Sequence, residues 1–445
     1  MTSSQPLAAQ ARQLHLAGDA EGARALLRQL ISEVTGVTAQ TVTVNADQYS
    51  LNSLNGTVAL ANDTTYFFKF HSEEGEETTN TEYYNAELLR KNGYDVDVPV
   101  YACGEPGRQI LLYALRSDAR LADVCRSIEL GETRYDSAIV VKAQQYRDCQ
   151  TLERMLATLH TPTATDVAAE PIHQLFWQRL VTPGIEPRFG GRVDKFYVGK
   201  EALLGGPEAQ ISLDWPTFRD AYWVINGVRY EHTVGQLFAE ASTRLSPLSL
   251  ADNGAVVAHG DEHNANVWFE ENASSAESGV AARLVSFDPA FAGSNLPALL
   301  ADIKATFHNV FAHPFWLYEP AVAAERYTAE ARLEGDTIVL DHTYAPSDLR
   351  LAFRDSKAVN VWQPLIAELR VRGLLPSDWQ RIVKLALFCC PTLVLDLRAS
   401  GSGRQTPVTS AIGWATAIAA GSMPVDSGGA DAVTPLFEAM QPRGQ

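Results

Sequence analysis

The chain has 445 residues, of which 46% are hydrophobic and 20% are charged, and its formal net charge is −17 at pH 7. A chain of this length and composition can bury a substantial core, and it predicts a soluble globular protein with two lobes or two to three domains. The negative charge argues against nucleic acid or an anionic membrane as the main partner, because phosphate groups are bound by basic surfaces.

Targeting and redox signals favour a cytoplasmic location. The N-terminus carries no basic flank followed by a long apolar core, and no stretch reaches about 18 uninterrupted apolar residues, so neither a secretory signal nor a membrane span is indicated. The five cysteines form no CxxC pair and no metal-like spacing with histidine. We expect most of them to be buried free thiols in a reducing cytosol.

The first 70 residues predict helices followed by strands. Residues 6–32 place Ala, Leu and Ile at helical spacing on both sides of a Gly18-Asp19 turn, which predicts a helical hairpin. Three strand-like runs then predict successive antiparallel strands, at Thr41–Val44, Thr57–Leu60 and Thr65–Phe70.

Lys69 lies inside the aromatic run TYFFKF of the third predicted strand. A lysine in such surroundings is costly unless its ammonium has an anionic partner, which makes Lys69 a candidate phosphate ligand. The alternative is a lysine on an edge strand whose ammonium group reaches water.

The next helix, TEYYNAELLRKNG, is predicted to end at Gly93. At 100° per residue, Ala86 and Leu89 fall within about 40° of Glu82, whereas Glu87 lies about 140° away. We therefore expect Glu82 to face inwards, where it is the better partner for Lys69, and Glu87 to face solvent. The alternative for both is an exposed helix acid.

The segments after residue 165 predict helices and loops. Residues 165–250 read mainly as helical, including the pieces HQLFWQRLV and WPTFRDAYWVI. Glu270–Ala282 is small and polar enough for a flexible loop between two strands. The Gly/Ala-rich residues 415–435 predict a loose surface segment.

The most informative stretch reads VVAHGDEHNANVWF and continues, after the polar loop, as ARLVSFDPAFAG. Its apolar runs predict short strands, and polar side chains follow at the strand ends. The polar residues are His259, Asp261, His263, Asn266 and Asp288. Phosphoryl transfer that depends on magnesium needs a carboxylate to orient the attacking hydroxyl and oxygen ligands to hold the metal. This stretch offers both.

Two alternatives to that interpretation use the same residues. On a regular strand, His259, Asp261 and His263 would point one way as a metal-binding triad, but Gly260 and Asn264 favour a loop instead. A metallophosphoesterase would need further His and Asp clusters, and only isolated histidines follow.

The segment His259–Asn266 matches the motif H-G-D-x-H-x-x-N, and it resembles the catalytic loop of the aminoglycoside phosphotransferase and choline kinase family. A second family motif, D-x-x-x-x-G-x-x-x-P followed by D, is matched by Asp288, Gly293, Pro297 and Asp302. The resemblance covers roughly residues 40–305. The fold of this family is similar to that of protein kinases.

The resemblance implies an α+β fold of two lobes: a small N-lobe with an antiparallel sheet, and a larger, mostly helical C-lobe. We expect an N-terminal helical extension over residues 1–38, a nucleotide-binding N-lobe over 39–116, a C-lobe with the catalytic loop and substrate site over 117–430, and a tail over 431–445.

The resemblance also implies roles for the site residues. Asp261 would act as the base that aligns the hydroxyl, Asn266 and Asp288 would coordinate Mg²⁺, and Lys69 would hold the α- and β-phosphates of ATP or GTP. His259 and His263 would brace the loop.

Other matched positions concern the nucleotide side. Ser53 and Asn55 match a short S-x-N feature of the family's nucleotide-covering loop, which in this chain has only Gly56. The family's helix glutamate aligns with Asn85, so Glu82 is expected to replace it. Glu262 is expected to be exposed.

These residues predict a small-molecule kinase, a phosphotransferase with an alcohol group as acceptor, that phosphorylates a hydroxyl of a metabolite or antibiotic. The expected partner is this small molecule, without nucleic acid or membrane. Residues 319–348 carry acids that would face a cationic acceptor or, alternatively, solvent. The alternative from a different class of protein is a pseudokinase, which binds nucleotide or a protein without turnover.

Overall fold

The computed structural model describes residues 7–45, 53–71, 79–105, 108–182, 188–271, 281–312, 314–426 and 431–441. The predicted loop Glu270–Ala282 therefore lies largely outside the described residues. None of the described helices combines the length and the apolar character that crossing a bilayer requires.

The described chain alternates short strands with helices. The strands are β1 Ala39–Val44, β2 Ser53–Leu60, β3 Thr65–His71, β4 Tyr101–Cys103, β5 Ile110–Ala114, β6 Ala119–Arg120, β7 Val181–Thr182, β8 Arg188–Phe189, β9 Ala202–Gly205, β10 Gln210–Leu213, β11 Tyr222–Ile225, β12 Val228–Tyr230, β13 Ala255–Ala258, β14 Val267–Glu271, β15 Ala282–Ser286, β16 Gly293–Pro297, β17 Ala329–Glu334 and β18 Thr337–His342.

The α-helices are α1 Leu7–Leu16, α2 Ala20–Thr35, α3 Thr79–Lys91, α4 Leu121–Glu129, α5 Ser137–Thr158, α6 Ala164–Ala169, α7 Trp177–Leu180, α8 Gly191–Phe196, α9 Trp215–Asp220, α10 Val234–Arg244, α11 Pro247–Leu250, α12 Ile303–Val310, α13 Pro314–Leu317, α14 Pro320–Arg326, α15 Asp348–Lys357, α16 Gln363–Val371, α17 Trp379–Val394, α18 Pro407–Gly421 and α19 Thr434–Met440. Short 3₁₀ turns cover Pro171–Gln174 and Asn264–Asn266, and a π-helical turn covers Ala358–Trp362.

The chain forms two compact units. Unit 1 takes in residues 1–119, 268–270 and 285–290, and unit 2 takes in residues 120–267, 271–284 and 291–445. The α+β class is confirmed, because unit 1 is built on an antiparallel sheet and unit 2 consists mostly of helices. The boundaries expected from the sequence stay a prediction.

Unit 1 contains a five-stranded sheet of order β1-β2-β3-β5-β4. The three predicted antiparallel strands are confirmed as β1, β2 and β3, which pair in sequence order. The predicted N-terminal hairpin is confirmed as α1 and α2. Apolar side chains of both helices, such as Ala11 and Leu30, are fully buried in one core with Val42 and Val58 of the sheet. The extension is thus part of the core of unit 1.

Helix α3 follows the predicted pattern, with Ala86 and Leu89 fully buried. The chain leaves the helix through Gly93, whose φ of +82° suits a residue without a Cβ atom. The side chain of Glu82 lies outside the described part of the chain, so its predicted orientation stays a prediction.

Unit 2 contains a four-stranded sheet of order β12-β11-β18-β17 that the sequence did not predict. The piece WPTFRDAYWVI was expected to be helical throughout, but it is helix α9 followed by strand β11. The aromatic and β-branched run YWVI suits a strand, and it pairs in parallel with β18 far along the chain.

The expected loose segment after residue 415 was also wrong in its first part. Residues 415–421 complete α18, a helix whose side chains are almost all buried. The small residues permit close packing rather than disorder: an added Cβ on Gly413 would lie 3.3 Å from Trp316, and one on Gly421 would lie 2.7 Å from Phe388.

A buried lysine joins three helices of unit 2. The Nζ atom of Lys357, at the end of α15, lies 2.9 Å from Oδ1 of Asp148 on α5 and 2.8 Å from Oδ1 of Asp302 at the start of α12. Burial alone would lower the pKa of Lys357, yet the two carboxylates raise it. Burial also raises the pKa of Asp302 to about 6, although Lys357 opposes that rise. One ammonium group therefore forms ion pairs with two carboxyl groups that are almost inaccessible to water.

We predict that Lys357→Met destabilises the protein by about 3–5 kcal/mol at pH 7, because removing one partner leaves buried charge uncompensated. The measurement is urea unfolding followed by tryptophan fluorescence. The loss should shrink at lower pH, where protonation removes the buried negative charge.

The matched control is Arg332→Met on β17, which breaks an exposed ion pair with Glu334. It should change the unfolding midpoint little, since exposed pairs contribute little. Equal effects of the two substitutions would contradict the assigned role of Lys357.

Candidate active site

The motif H-G-D-x-H-x-x-N forms a tight loop after strand β13, not a continued strand. All four residues of β13 are buried, and the strand pairs with β16. Gly260 then turns the chain with a φ of +78°, and an added Cβ there would lie 2.7 Å from the carbonyl oxygen of Phe291. Only glycine fits this turn without strain, which explains the residue type between His259 and Asp261.

The backbone and carboxylate of Asp261 have different surroundings. Its N–H donates to Nδ1 of His259 over 3.3 Å, and its carbonyl oxygen accepts from Nδ2 of Asn266 over 2.9 Å. The carboxylate atom Oδ1 is buried, and it accepts no hydrogen bond from any residue that the structure describes. A buried acceptor without a donor is costly, so this atom suits a ligand that carries a hydroxyl group.

The two motif histidines contact the loop itself. Nδ1 of His263 accepts from the N–H of Ala265 over 3.3 Å, as Nδ1 of His259 does from Asp261. Nε2 of His263 lies 3.9 Å from Oδ1 of Asp261. Within the described ranges, no group of three or more His, Cys, Asp or Glu side chains is arranged to hold a metal ion. These contacts support the bracing role and give the metal-triad alternative no support.

Glu262 was expected to be exposed, but its side chain is only 10% exposed. It forms an ion pair with Arg147 of α5, which also donates to the carbonyl oxygen of Leu284 over 3.1 Å. Burial by itself would raise the pKa of Glu262, yet the guanidinium group lowers it to about 2, with His259 acting in the same direction. The variable position of the motif thus anchors the loop to α5.

Lys304 of α12 lies beside the loop. Its Nζ atom is 3.7 Å from Oδ1 of Asp261 and donates a hydrogen bond of 2.9 Å to Nε2 of His308, one helical turn later. Burial holds the pKa of His308 well below its usual value, and Lys304 and His263 lower it further. The imidazole is therefore neutral and accepts this bond. Asn309 also links α12 to the loop, since its Oδ1 accepts a hydrogen bond from the N–H of Asn264 over 2.8 Å.

In unit 1, Lys69 and Asp288 form an ion pair although they are far apart in the chain. Lys69 is 7% exposed, which excludes the alternative of an edge lysine reaching water. Asp288 has a φ of +58°, a conformation that few residues other than glycine adopt and that aspartate tolerates better than most.

Backbone contacts fix the segment that carries Asp288. The N–H of Ser286 donates to the carbonyl oxygen of Asp95, and the N–H of Asp97 donates to that of Ser286, each over 2.8 Å. On the other side, Nδ2 of Asn85 on α3 donates to the carbonyl oxygen of Pro289 over 3.0 Å. Asn85 therefore holds the segment that carries Asp288.

Ser53 and Asn55 were expected in a loop, but both lie in strand β2. Asn55 is directly opposite Lys69 in the β2–β3 register, and it is buried. Opposite residues of an antiparallel pair share one face of the sheet, so Asn55 neighbours the lysine. The side chain of Ser53, like residues 46–52 before it, lies outside the described part.

The predicted set is thus divided between the units. Unit 2 holds Asp261 and Asn266 within one loop, and unit 1 holds Lys69, Asn55 and Asp288 around one ion pair. Sequence reasoning missed the side chains that support the loop. Only their positions in the sequence could have indicated these side chains. Lys304 follows Asp302 of the second motif by two residues, and Arg147 falls at helical spacing from the buried residues at the start of α5.

No protein-family model matches the sequence, and no curated protein matches it. Solved structures with some likeness include a putative fructosamine-3-kinase from Thermobifida fusca YX-ER1, at 14% identity and a TM-score of 0.36, covering 88% of this chain and 98% of the other. A spectinomycin phosphotransferase in complex with ADP and spectinomycin follows, at 10% identity, a TM-score of 0.34 and coverage of 89% and 98%. A macrolide 2′-phosphotransferase type I has 11% identity, a TM-score of 0.33 and coverage of 81% and 95%. By their names, these three proteins are phosphotransferases that act on small molecules.

Proposed function

We propose that the protein is a small-molecule kinase that transfers the γ-phosphate of ATP or GTP to a hydroxyl group of a metabolite or antibiotic. In this proposal Asp261 aligns the hydroxyl and accepts its proton, while Lys69 binds the nucleotide phosphates.

The Lys69–Asp288 ion pair is the observation that carries the proposal. The two residues come from distant parts of the sequence, Lys69 from an aromatic strand and Asp288 from the end of another strand, and they lie side by side in unit 1. A buried cation beside a carboxylate is the arrangement that phosphate and its metal ion require. Asn55, opposite Lys69 in the sheet, is a further polar group on the same face.

The residues proposed for magnesium offer suitable atoms. Nδ2 of Asn266 is engaged by the carbonyl oxygen of Asp261, which leaves the amide oxygen as the group available to a metal ion. Asp288 offers a carboxylate, and oxygen ligands of this kind suit Mg²⁺. Mg²⁺, when bound by these residues, would neutralise charge on the phosphates.

The unit 2 residues would act on the acceptor. Oδ1 of Asp261 can accept a hydrogen bond from the hydroxyl group, and the loop contacts of Asn266 and His259 hold the residue's backbone in place. Glu262, paired with Arg147, prevents the loop from moving away from α5.

We predict that Asp261→Asn lowers nucleotide consumption by about 10²–10⁴-fold, because the amide cannot accept the hydroxyl proton. The measurement is release of nucleoside diphosphate in a screen of hydroxyl metabolites and antibiotics, with Mg²⁺ present and after chelation. Glu87→Gln on α3 is the matched control and should retain full activity. Equal background rates for the wild type and Asp261→Asn would refute the kinase and favour a pseudokinase.

We also predict that Lys69→Met weakens nucleotide binding by about 10–100-fold, since one charged hydrogen bond contributes roughly 1.5–3 kcal/mol. Calorimetric titration with a non-hydrolysable ATP or GTP analogue measures this effect without an acceptor. Lys91→Met, at the exposed end of α3, provides the control and should bind as the wild type does. Unchanged affinity in Lys69→Met would remove this residue from the proposed site.

A further inference from the structure

Lys304 is a buried cation whose hydrogen-bonding capacity is only partly used. The residue is 4% exposed. Its ammonium group has three N–H donors, and among the described residues it donates one hydrogen bond, to Nε2 of His308. The contact with Oδ1 of Asp261, at 3.7 Å, is too long for a hydrogen bond. A buried ammonium group with spare donors is costly unless a ligand supplies an acceptor.

Asp261, beside Lys304, has a carboxylate oxygen that lacks a hydrogen-bond donor among the described residues. Its Oδ1 atom is buried and receives no hydrogen bond from the described chain. The donor and the acceptor are 3.7 Å apart, within the range of an ion pair but without a hydrogen bond between them. An oxygen atom beside this pair, about 2.8 Å from each of the two atoms, would bridge them with two hydrogen bonds of ordinary length. A hydroxyl group fits, because it can donate to the carboxylate and accept from the ammonium group at once.

We propose that Lys304 is a second acceptor-binding residue, which holds the oxygen of the hydroxyl that is phosphorylated while Asp261 holds its proton. The inference rests on the proposed kinase function and extends it with a residue on α12. His308 positions Lys304 by accepting one of its N–H groups.

The chemical step follows from this arrangement. The hydroxyl oxygen forms a bond to the γ-phosphorus, the bond from that phosphorus to the β,γ-bridging oxygen breaks, and the nucleoside diphosphate leaves with the electron pair. The hydroxyl proton passes to Asp261. Lys304 keeps its protons and donates one hydrogen bond to the hydroxyl oxygen, which holds that oxygen in position for attack on the γ-phosphorus.

The test compares Lys304→Met with the wild type in nucleotide turnover, with water or a hydroxyl compound as acceptor. Loss of the hydrogen bond that positions the acceptor oxygen should lower kcat by about 10²-fold. The KM for the nucleotide should stay within about twofold of the wild type, because Lys304 contacts the acceptor and not the nucleotide. Lys304→Arg, which keeps the charge, should recover part of the rate. Lys142→Met on the exposed side of α5 is the matched control and should behave as the wild type.

Circular dichroism verifies that each variant is folded, and Lys304→Gln replaces Lys304→Met if the latter does not fold. A kcat within about threefold of the wild type would overturn the proposal, since a misplaced acceptor oxygen costs far more. A raised nucleotide KM with unchanged kcat would overturn it too.

A crystal structure of the wild type provides a readout that does not depend on turnover. An ordered water oxygen within hydrogen-bonding distance of both Nζ of Lys304 and Oδ1 of Asp261 supports the proposed acceptor position even if no nucleotide is consumed. A direct Lys304–Asp261 hydrogen bond, with no oxygen between the two atoms, overturns it even if the protein is an active kinase. The two failures are thereby distinguished.

Discussion

The ammonium group of Lys357 is the constraint on which the candidate acceptor site depends. It forms ion pairs with both Asp148 and Asp302, which are almost inaccessible to water, and so it joins α5 to the start of α12. Each of these helices supports the motif loop from one side. Helix α5 supplies Arg147 to the loop residue Glu262, and α12 supplies Lys304 and Asn309. One buried charge therefore holds together the two helices, α5 and α12, that contact the loop.

Local patterns in the sequence predicted the first part of the fold well. The helical hairpin, the three antiparallel strands and α3 all have strong periodicity and clear ends, and their partners are near in the chain. The sheet of unit 2 was missed because its central pairing joins β11 to β18, which are separated by many residues and carry no shared pattern. Helix α18 was missed because Ala and Gly resemble a loose segment in composition, whereas in this helix they allow close packing against Trp316 and Phe388.

For the candidate site too, the contacts within the motif could be predicted from the sequence, whereas the contacts with distant residues could not. The motif located Asp261 and Asn266 in one loop, because eight consecutive residues define a turn. The partners of Glu262 and Asp261 come from separate helices, and a single sequence does not tell which distant charges will meet. Glu262 was expected in solvent for that reason, since an acid is usually exposed unless a cation reaches it. Its cation, Arg147, is itself buried.

Unit 1 is not a continuous piece of chain, and this affects how the protein can be divided. The carboxylate beside Lys69 belongs to residues 285–290, which join unit 1 after the chain has passed through the motif loop of unit 2. A fragment that ends at residue 119 would contain the whole five-stranded sheet but not Asp288 or the Ser286 contacts with the chain around Asp95. The pair of Lys69 and Asp288 therefore requires the full chain. An exchange of the first 119 residues between relatives would transfer the sheet without its carboxylate.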